Sequence, residues 1–417
     1  MSAFSFVETL AIGDELLTGK IADTNSAFIA SQLFPLGIRL HRSTVVADDE
    51  GEIVDSLAAI ARRSPVCIVF GGLGPTSDDK TAETVCRMIG GELVVHEPSK
   101  ERLIRFFTER KREVTETALK QIHYPSKCEP LANPDGLAPA FTMEWKSCRF
   151  FFMPGVPSEM KAIWKESVLP RVQAIHQKLG GPKLLHRGWR LIGIGESNVQ
   201  QLMTPIEKDL PKGAWIGYRT HFPENHLVLY VGSEVEDAAG CLKKFGDRMG
   251  AAVAPYVYSE RDRELEALVF EKLVEKKLTF AVAESCTGGA VGYRFTKQPG
   301  ASKVFWGSEV VYQLAAKNAC LDLKLTEESQ TVSAETTRKL AQALKAKSNA
   351  SVVAAVTGYL PPEGGTPEIP NGTIFVHVIG PSGVSEKKVH LVPRDRERGQ
   401  WGAATYVFHE VLLQLEK

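Results

Sequence analysis

Two three-layer α/β units joined by a small α+β module are the fold class this sequence predicts, and three observations predict it. Short apolar strands alternate with amphipathic helices over about residues 7–170, and they do so again over about 265–415. Glycine-rich loops follow several of these strands directly. A glycine-proline stretch, "KLGGPK" at 178–183, interrupts the alternation between the two regions. Strands separated by helices of this length form βαβ units, and hence mainly parallel sheets covered on both faces.

Taken in order, "FVETLAIG" reads as a buried strand and "TNSAFIASQLFPLG" as an amphipathic helix ending at Gly37. "IRLHRSTVVAD" is a second strand, "EGEIVDSLAAIARR" a helix, and "PVCIVFGG" a short apolar strand running into glycines. The first unit closes with "SCRFFFMPGVPSEMKAIWKESVLPRV", a strand, a turn and a helix. "HRGWRLIGIGESNVQQLMTPI" and "NHLVLYVGSE" make the α+β module. The last unit opens with the helix "RELEALVFEKLVEKK" and the strand "LTFAVAES", and closes with the helix "GQWGAATYVFHEVLLQLEK". The expected boundaries are 1–175, 176–257 and 258–417.

Length and charge limit the function classes. A chain of 417 residues exceeds one ordinary core. Fifty basic residues balance fifty acidic ones, so no global field draws the protein to nucleic acid or an anionic membrane. The seven cysteines are scattered and form no C-x-x-C pair, which argues against a zinc site and a disulfide framework. The N-terminal stretch does not read as a leader, and no apolar run reaches the length of a membrane span. A reducing cytoplasm is the expected location.

Two loops of the first unit carry chemistry. "IGDELLTG" (12–19) and "GGLGPTSDDKT" (71–81) each leave the carboxyl end of a strand, where ligands of parallel sheets bind. Glycines let backbone N–H groups approach a phosphate. Asp78 and Asp79, with Glu15, supply hard oxygen ligands for a divalent cation. Metal with phosphate is the chemistry of pyrophosphate cleavage or nucleotidyl transfer. A glycine loop alone would equally be a turn whose aspartates cap a helix.

The last unit carries "AVAESCTGGAVG" (281–292), with Ser285, Cys286 and Thr287 in front of two glycines. The motif alone suits a helix N-cap as well as a nucleophile. Cys286 reads as a small buried apolar residue rather than a reactive thiol.

"GDELLTGKIADTNS", "GGLGPTSDDKT", "NPDGLAPAF" and "PGVPSEM" together resemble the amino-terminal domain of the CinA (competence/damage-inducible) family, which is similar to the molybdopterin-binding fold. The resemblance implies metal-dependent hydrolysis of ADP-ribose to AMP and ribose 5-phosphate, with Mg²⁺, Mn²⁺ or Co²⁺ as the metal. It implies Glu15, Asp78 and Asp79 as metal or catalytic carboxylates. Gly72, Gly74 and Thr76 would line the phosphate site. A molybdopterin ligand is the rival on the same fold.

"AESCTGG", "GSEVVYQLAAK", "VSAETTRKLA" and "GGTPEIPNGT" resemble the carboxy-terminal CinA domain, which is similar to nicotinamide mononucleotide deamidases. This resemblance implies Ser285 as nucleophile, with Tyr312 and Lys317 as partners and no cofactor. A serine needs a base; no histidine lies near the motif, and a desolvated lysine, with a tyrosine relaying protons, can serve. Thr287, Gly288 and Gly289 would offer N–H groups at a helix start to an oxyanion or the substrate phosphate. Arg396 would hold that phosphate.

Two departures from the family pattern alter the expected rim. "TGYLPPEGG" (357–365) puts Tyr359 and Pro361 where a Gly-Ile-Ala-Gly-Pro-like stretch is expected, and Pro361 has no N–H to donate. Gln400 stands where a second arginine is usual.

The middle module looks like a KH-type linker in the resembled family and is read as a spacer and dimerisation element. No nucleic-acid partner is expected. The expected partners are the two nucleotides and a second copy of the chain. The whole reading is a bifunctional enzyme of pyridine-nucleotide recycling. Its rival is a regulatory or interaction protein of DNA uptake, which would show no turnover.

Overall fold

A computed structural model describes residues 6–181, 183–261, 263–327, 331–362 and 364–416. Pro182 of the expected "KLGGPK" boundary and Glu363 of the 357–365 loop lie outside the described residues. The chain divides into two compact units, 1–186 with 231–239, and 187–230 with 240–417.

The first unit is built on a six-stranded sheet. Its strands are β1 (Val7–Ile12), β2 (Leu40–Val46), β3 (Val66–Phe70), β6 (Glu129–Leu131), β7 (Ala140–Trp145) and β8 (Cys148–Met153), in the order β2-β1-β3-β8-β7-β6. The short strands β4 (Leu93–Val95) and β5 (His123–Pro125) pair separately. β1, β2, β3 and β8 run parallel, while β7 and β6 are antiparallel additions.

Alternation along the strands makes three layers, because successive side chains of a strand point to opposite faces. Val7, Ala11, Val66, Ile68, Phe151 and Met153 join the helices Thr24–Leu33 and Pro157–Ile163 on one face. Leu10, Ile12, Cys67, Val69, Phe150 and Phe152 join Glu50–Ala61 and Thr81–Met88 on the other. Asp23 and Asp49 start their helices by accepting from Ser26 N at 2.9 Å and Glu52 N at 3.0 Å.

The second unit contains two sheets. The stretch read as the middle module forms β9 (Leu184–Ile192), β10 (Ala214–His221), β11 (Glu224–Gly232) and β12 (Val257–Ser259), ordered β10-β11-β9-β12. The carboxy-terminal part forms β13 (Phe280–Glu284), β14 (Phe305–Val310), β15 (Val352–Gly358), β16 (Thr373–Gly380) and β17 (Gly383–His390), ordered β14-β13-β15-β16-β17. β13, β14 and β15 are parallel; β16 and β17 are antiparallel.

Phe280, Val282, Val352 and Ala354 face the helices Leu265–Lys276 and Arg396–Glu416. Ala281, Ala283, Val353 and Ala355 face Ala334–Ser348. Of the stretch expected as a middle domain, 176–186 and 231–239 belong to the first unit, and 187–230 and 240–257 to the second, where they pack on the carboxy-terminal core. Ile192 belongs to that core, Phe222 and Tyr258 pack against it, and Phe222 is so close to Gly402 that a Cβ there would meet its ring at 2.8 Å. The boundary near 257 is thus a change of sheet rather than a gap in packing. Among the described residues, no helix is long and apolar enough to cross a membrane.

Candidate functional site

In the second unit, the carboxyl ends of the parallel strands bring the expected residues together. β13 ends at Glu284 and delivers Ser285, whose N–H donates to Val356 O at 3.2 Å on β15. β14 ends at Val310, and Val311 N donates to Glu284 O at 2.8 Å. The helix Leu314–Leu321 then turns Lys317 inward until its side chain is fully buried.

Lys317 Nζ lies 3.1 Å from Ser285 Oγ, 2.8 Å from Val311 O and 3.1 Å from Tyr312 O. Carbonyl oxygens only accept, so two of the tetrahedral positions on Nζ carry hydrogens to Val311 O and Tyr312 O. The remaining position faces the serine hydroxyl. In a neutral amine that position would be a lone pair directed at the hydroxyl.

The other candidates fall around this pair in unequal ways. Tyr312 meets Lys317 through its carbonyl, while its ring is half exposed and its hydroxyl bonds Arg396 rather than Ser285. The phenol therefore bonds the arginine rather than the serine in this arrangement, and the Tyr312 carbonyl serves only to hold Lys317. Arg396 also donates to Leu360 O at 3.1 Å and Pro361 O at 3.3 Å. Pro361, which has no N–H, contributes a carbonyl that holds the arginine. Gln400 approaches Gly288: a Cβ on that glycine would lie 3.0 Å from its amide nitrogen.

The N–H groups of the two glycines are otherwise engaged. Glu284, fully buried, accepts from Gly289 N at 3.1 Å, Val291 N at 3.0 Å, Gly292 N at 2.8 Å and Ser308 Oγ at 2.6 Å. Gly288 N donates to Ser285 O at 3.1 Å. The expectation that Gly288 and Gly289 offer N–H groups to an anion is corrected here, because the Gly289 N–H is taken by the Glu284 carboxylate and the Gly288 N–H by the Ser285 carbonyl. Both are glycines for conformational reasons, with φ of +61° and +100°. Thr287 Oγ1 is buried with no hydrogen-bond partner among the described residues. Burial pushes the Cys286 thiol up to about 12, with Glu284 adding to the rise, so no thiolate competes with Ser285 near neutrality. Glu284 went unnoticed in the sequence, although it is the acidic residue that precedes the serine at a strand end.

The first unit has a cleft of about 500 Å³ at the corresponding sheet edge. Glu15, Gly72, Gly74, Thr76, Asp78 and Asp79 all line it. Gly71 has φ of +111°, and a Cβ there would sit 2.0 Å from Ile12 O, so only glycine lets the two loops close. Asn25, Asp48 and Glu159 line the same cleft. Asn25 Nδ2 donates to Gly155 O at 2.8 Å, while its buried Oδ1 has no partner among the described residues. Asn133 Nδ2 donates to Glu159 at 2.6 Å, which joins the "NPDGLAPAF" and "PGVPSEM" loops.

The expected metal set is not a closed cage. Among the described residues, no three His, Cys, Asp or Glu side chains are grouped to hold a metal ion. Asp79 is turned onto Thr76, accepting from its N–H at 2.8 Å and from its hydroxyl. Those bonds also commit the groups of Thr76 that were expected to meet a phosphate. Asp48, missed in the sequence, sits on the rim and accepts from Asp14 N at 3.0 Å. Burial raises its carboxyl above the ordinary aspartate value, and the charges of Asp14, Glu15 and Asp78 raise it further against that backbone bond. A rim of mutually repelling carboxylates fits a cation shared with a diphosphate, since Mg²⁺ commonly takes one or two carboxylates and completes its shell with phosphates and water. The position of Asp48 just past a parallel strand, in "VVADDE", was the signal available for it.

This is the arrangement of a protein with two α/β sites, one a nucleotide-sized cleft and one a serine–lysine pair. Residues 8–174 match the family described as "Probable molybdopterin binding domain", and 262–415 match "CinA C-terminal domain". A "CinA-like protein" of Myxococcus xanthus is 34% identical, covering 98% of this chain and 97% of its own. A "Putative competence-damage inducible protein" of Alkaliphilus metalliredigens is also 34% identical, covering 98% and 99%. A solved CinA structure from Thermoplasma acidophilum is 31% identical, with a TM-score of 0.36, covering 41% of this chain and 99% of that one. The chain belongs to the CinA family.

Proposed function

We propose that the second unit is a serine amidohydrolase that deamidates nicotinamide mononucleotide to nicotinate mononucleotide and ammonia. The observation that carries this reading is the fully buried Lys317 with two carbonyl partners and Ser285 Oγ at 3.1 Å. Lys317 takes the proton as Ser285 Oγ bonds to the carboxamide carbon. Collapse of the adduct breaks the C–N bond, and the lysine proton leaves with the nitrogen as ammonia. Water, activated by the same amine, then cleaves the acyl-serine and restores the hydroxyl. Arg396, held at the rim by Leu360 O and Pro361 O, takes the phosphate.

Ammonia release from nicotinamide mononucleotide by the purified chain, by Ser285→Ala and by Lys317→Met tests this. Release that both substitutions abolish supports it. Release that survives in Ser285→Ala overturns it, as does no release from the unaltered protein.

For the first unit we propose hydrolysis of ADP-ribose to AMP and ribose 5-phosphate. The buried Asn25 Oδ1, with no partner among the described residues, and the carboxylates of Asp14, Glu15 and Asp78 acting on Asp48 favour a ligand there over a structural hollow. Glu15, Asp48 and Asp78 are the residues that would hold a divalent cation together with the diphosphate. When bound, that cation supplies charge neutralisation at the phosphoryl oxygens. Loss of AMP formation in Asp78→Asn and on chelation is the expected result; turnover indifferent to both sinks the reading.

A further inference from the structure

A second cavity, of about 340 Å³, shares Gly72, Leu73, Gly74 and Asp79 with the main cleft of the first unit. Its other walls, Ala82, Glu83, Leu93, Lys120 and His123, do not touch the main cleft. The two hollows therefore lie along one wall, the glycine loop. From this arrangement we infer that the smaller cavity is the nucleoside subsite of the first unit, so that a nucleoside diphosphate-sugar binds across the loop. This rests on the diphosphate hydrolysis proposed above and adds where its base goes.

The loop is built as a fixed divider. Lys120 Nζ donates to Thr76 O and Asp79 O, each at 2.8 Å, and Thr81 N donates to Gly72 O at 3.0 Å. Asp79 closes the turn on Thr76 N at 2.8 Å. Gly72 and Gly74 carry no side chain, so the divider is low where the two hollows meet. A diphosphate can cross there with its charge toward the rim of Glu15, Asp48 and Asp78, where a cation would be shared.

The smaller cavity has the chemistry of a nucleoside pocket: an apolar wall, an imidazole, and the carboxylate of Glu83, while Asp79 is committed to Thr76 and Lys120 to the loop carbonyls. Leu73, Ala82 and Leu93 supply apolar surface for a base. His123 Nδ1 lies 2.9 Å from Leu119 O, and because a carbonyl only accepts, Nδ1 carries the hydrogen. The Nε2 of the neutral ring is then an acceptor, suited to the exocyclic amine of adenine. Glu83, partly exposed and 3.6 Å from Lys120 Nζ, can accept from ribose hydroxyls. The main cleft, rimmed by carboxylates, is left for the diphosphate and the second sugar.

Calorimetric titration of the full chain with AMP and with ribose 5-phosphate, repeated on His123→Ala and Leu93→Glu, tests the subsite. Both changes lie at partly exposed positions, and thermal melting checks that each variant is folded. The expected result is at least about a tenfold rise in the AMP Kd for each variant, about 1.4 kcal/mol, with ribose 5-phosphate within about twofold. Unchanged AMP binding in both folded variants overturns the inference, as does the absence of AMP binding by the unaltered chain. AMP binding that the variants lose, in a chain that does not cleave ADP-ribose, supports the subsite and removes only the hydrolysis.

Discussion

Lys317 shows how a single side chain gains a role from its surroundings. Its helix would carry a lysine equally well on a wet face; here the turn from β14 points it inward, and two carbonyls fix its hydrogens. Lys317→Arg keeps a cation but cannot present a lone pair, so ammonia release should fall by at least about 10²-fold, the low end of what a positioned base contributes. Cys286 makes the opposite case. With its thiol held up near 12 by burial, it stays protonated at every pH below that value. Iodoacetamide at pH 8 should label the exposed Cys320 and spare Cys286, as peptide mass mapping would report. Asp48 gives a pH effect with a definite sign. Its folded-state pKa is raised, so the ionised carboxylate costs stability as pH rises through that value, and the cost vanishes below the unfolded-state pKa. Asp48→Asn should therefore melt higher than the unaltered chain at pH 7, with the difference shrinking toward pH 3.

At the scale of the element, the loop from β13 into the helix Ala290–Thr296 depends on one anion. Glu284 satisfies three N–H groups and a hydroxyl that would otherwise be buried without partners. Gln at this position keeps one acceptor oxygen and turns an amide NH₂ against donors. Bonds to a charged group contribute about 1.5–3 kcal/mol each, so Glu284→Gln should lower Tm clearly, while Ser308→Ala, which removes a single bond, lowers it by less. Differential scanning calorimetry distinguishes the two. The glycines of this loop were legible in the sequence, but their purpose was not. They look like anion-binding N–H donors because the acidic residue that consumes those donors lies five residues upstream, on the preceding strand.

At the scale of the molecule, each proposed site is assembled entirely within one compact unit. The two activities should then separate by substitution. Ser285→Ala should leave ADP-ribose hydrolysis within about twofold, and Asp78→Asn should leave ammonia release likewise, both measured on the full chain. Within the second unit, Phe222 of the expected middle stretch packs against the carboxy-terminal core. A glycine-proline boundary signals where the chain turns; it does not report which surface the next residues cover.

The sequence alone determined the α/β class, the family and the strand ends that carry the candidate sites. These follow from periodicities of two and 3.6 residues and from ordered motifs, which are local properties of the chain. Tertiary structure decided the rest: Asp48 on the rim of the first unit's cleft, Glu284 in the place expected for a ligand anion, Lys317 beside Ser285, Tyr312 on Arg396 rather than on the serine, and the cavity beyond the glycine loop. Each of these depends on which residues from distant strands meet at one sheet edge, and hydrogen-bond partners separated by tens of residues leave no periodic trace.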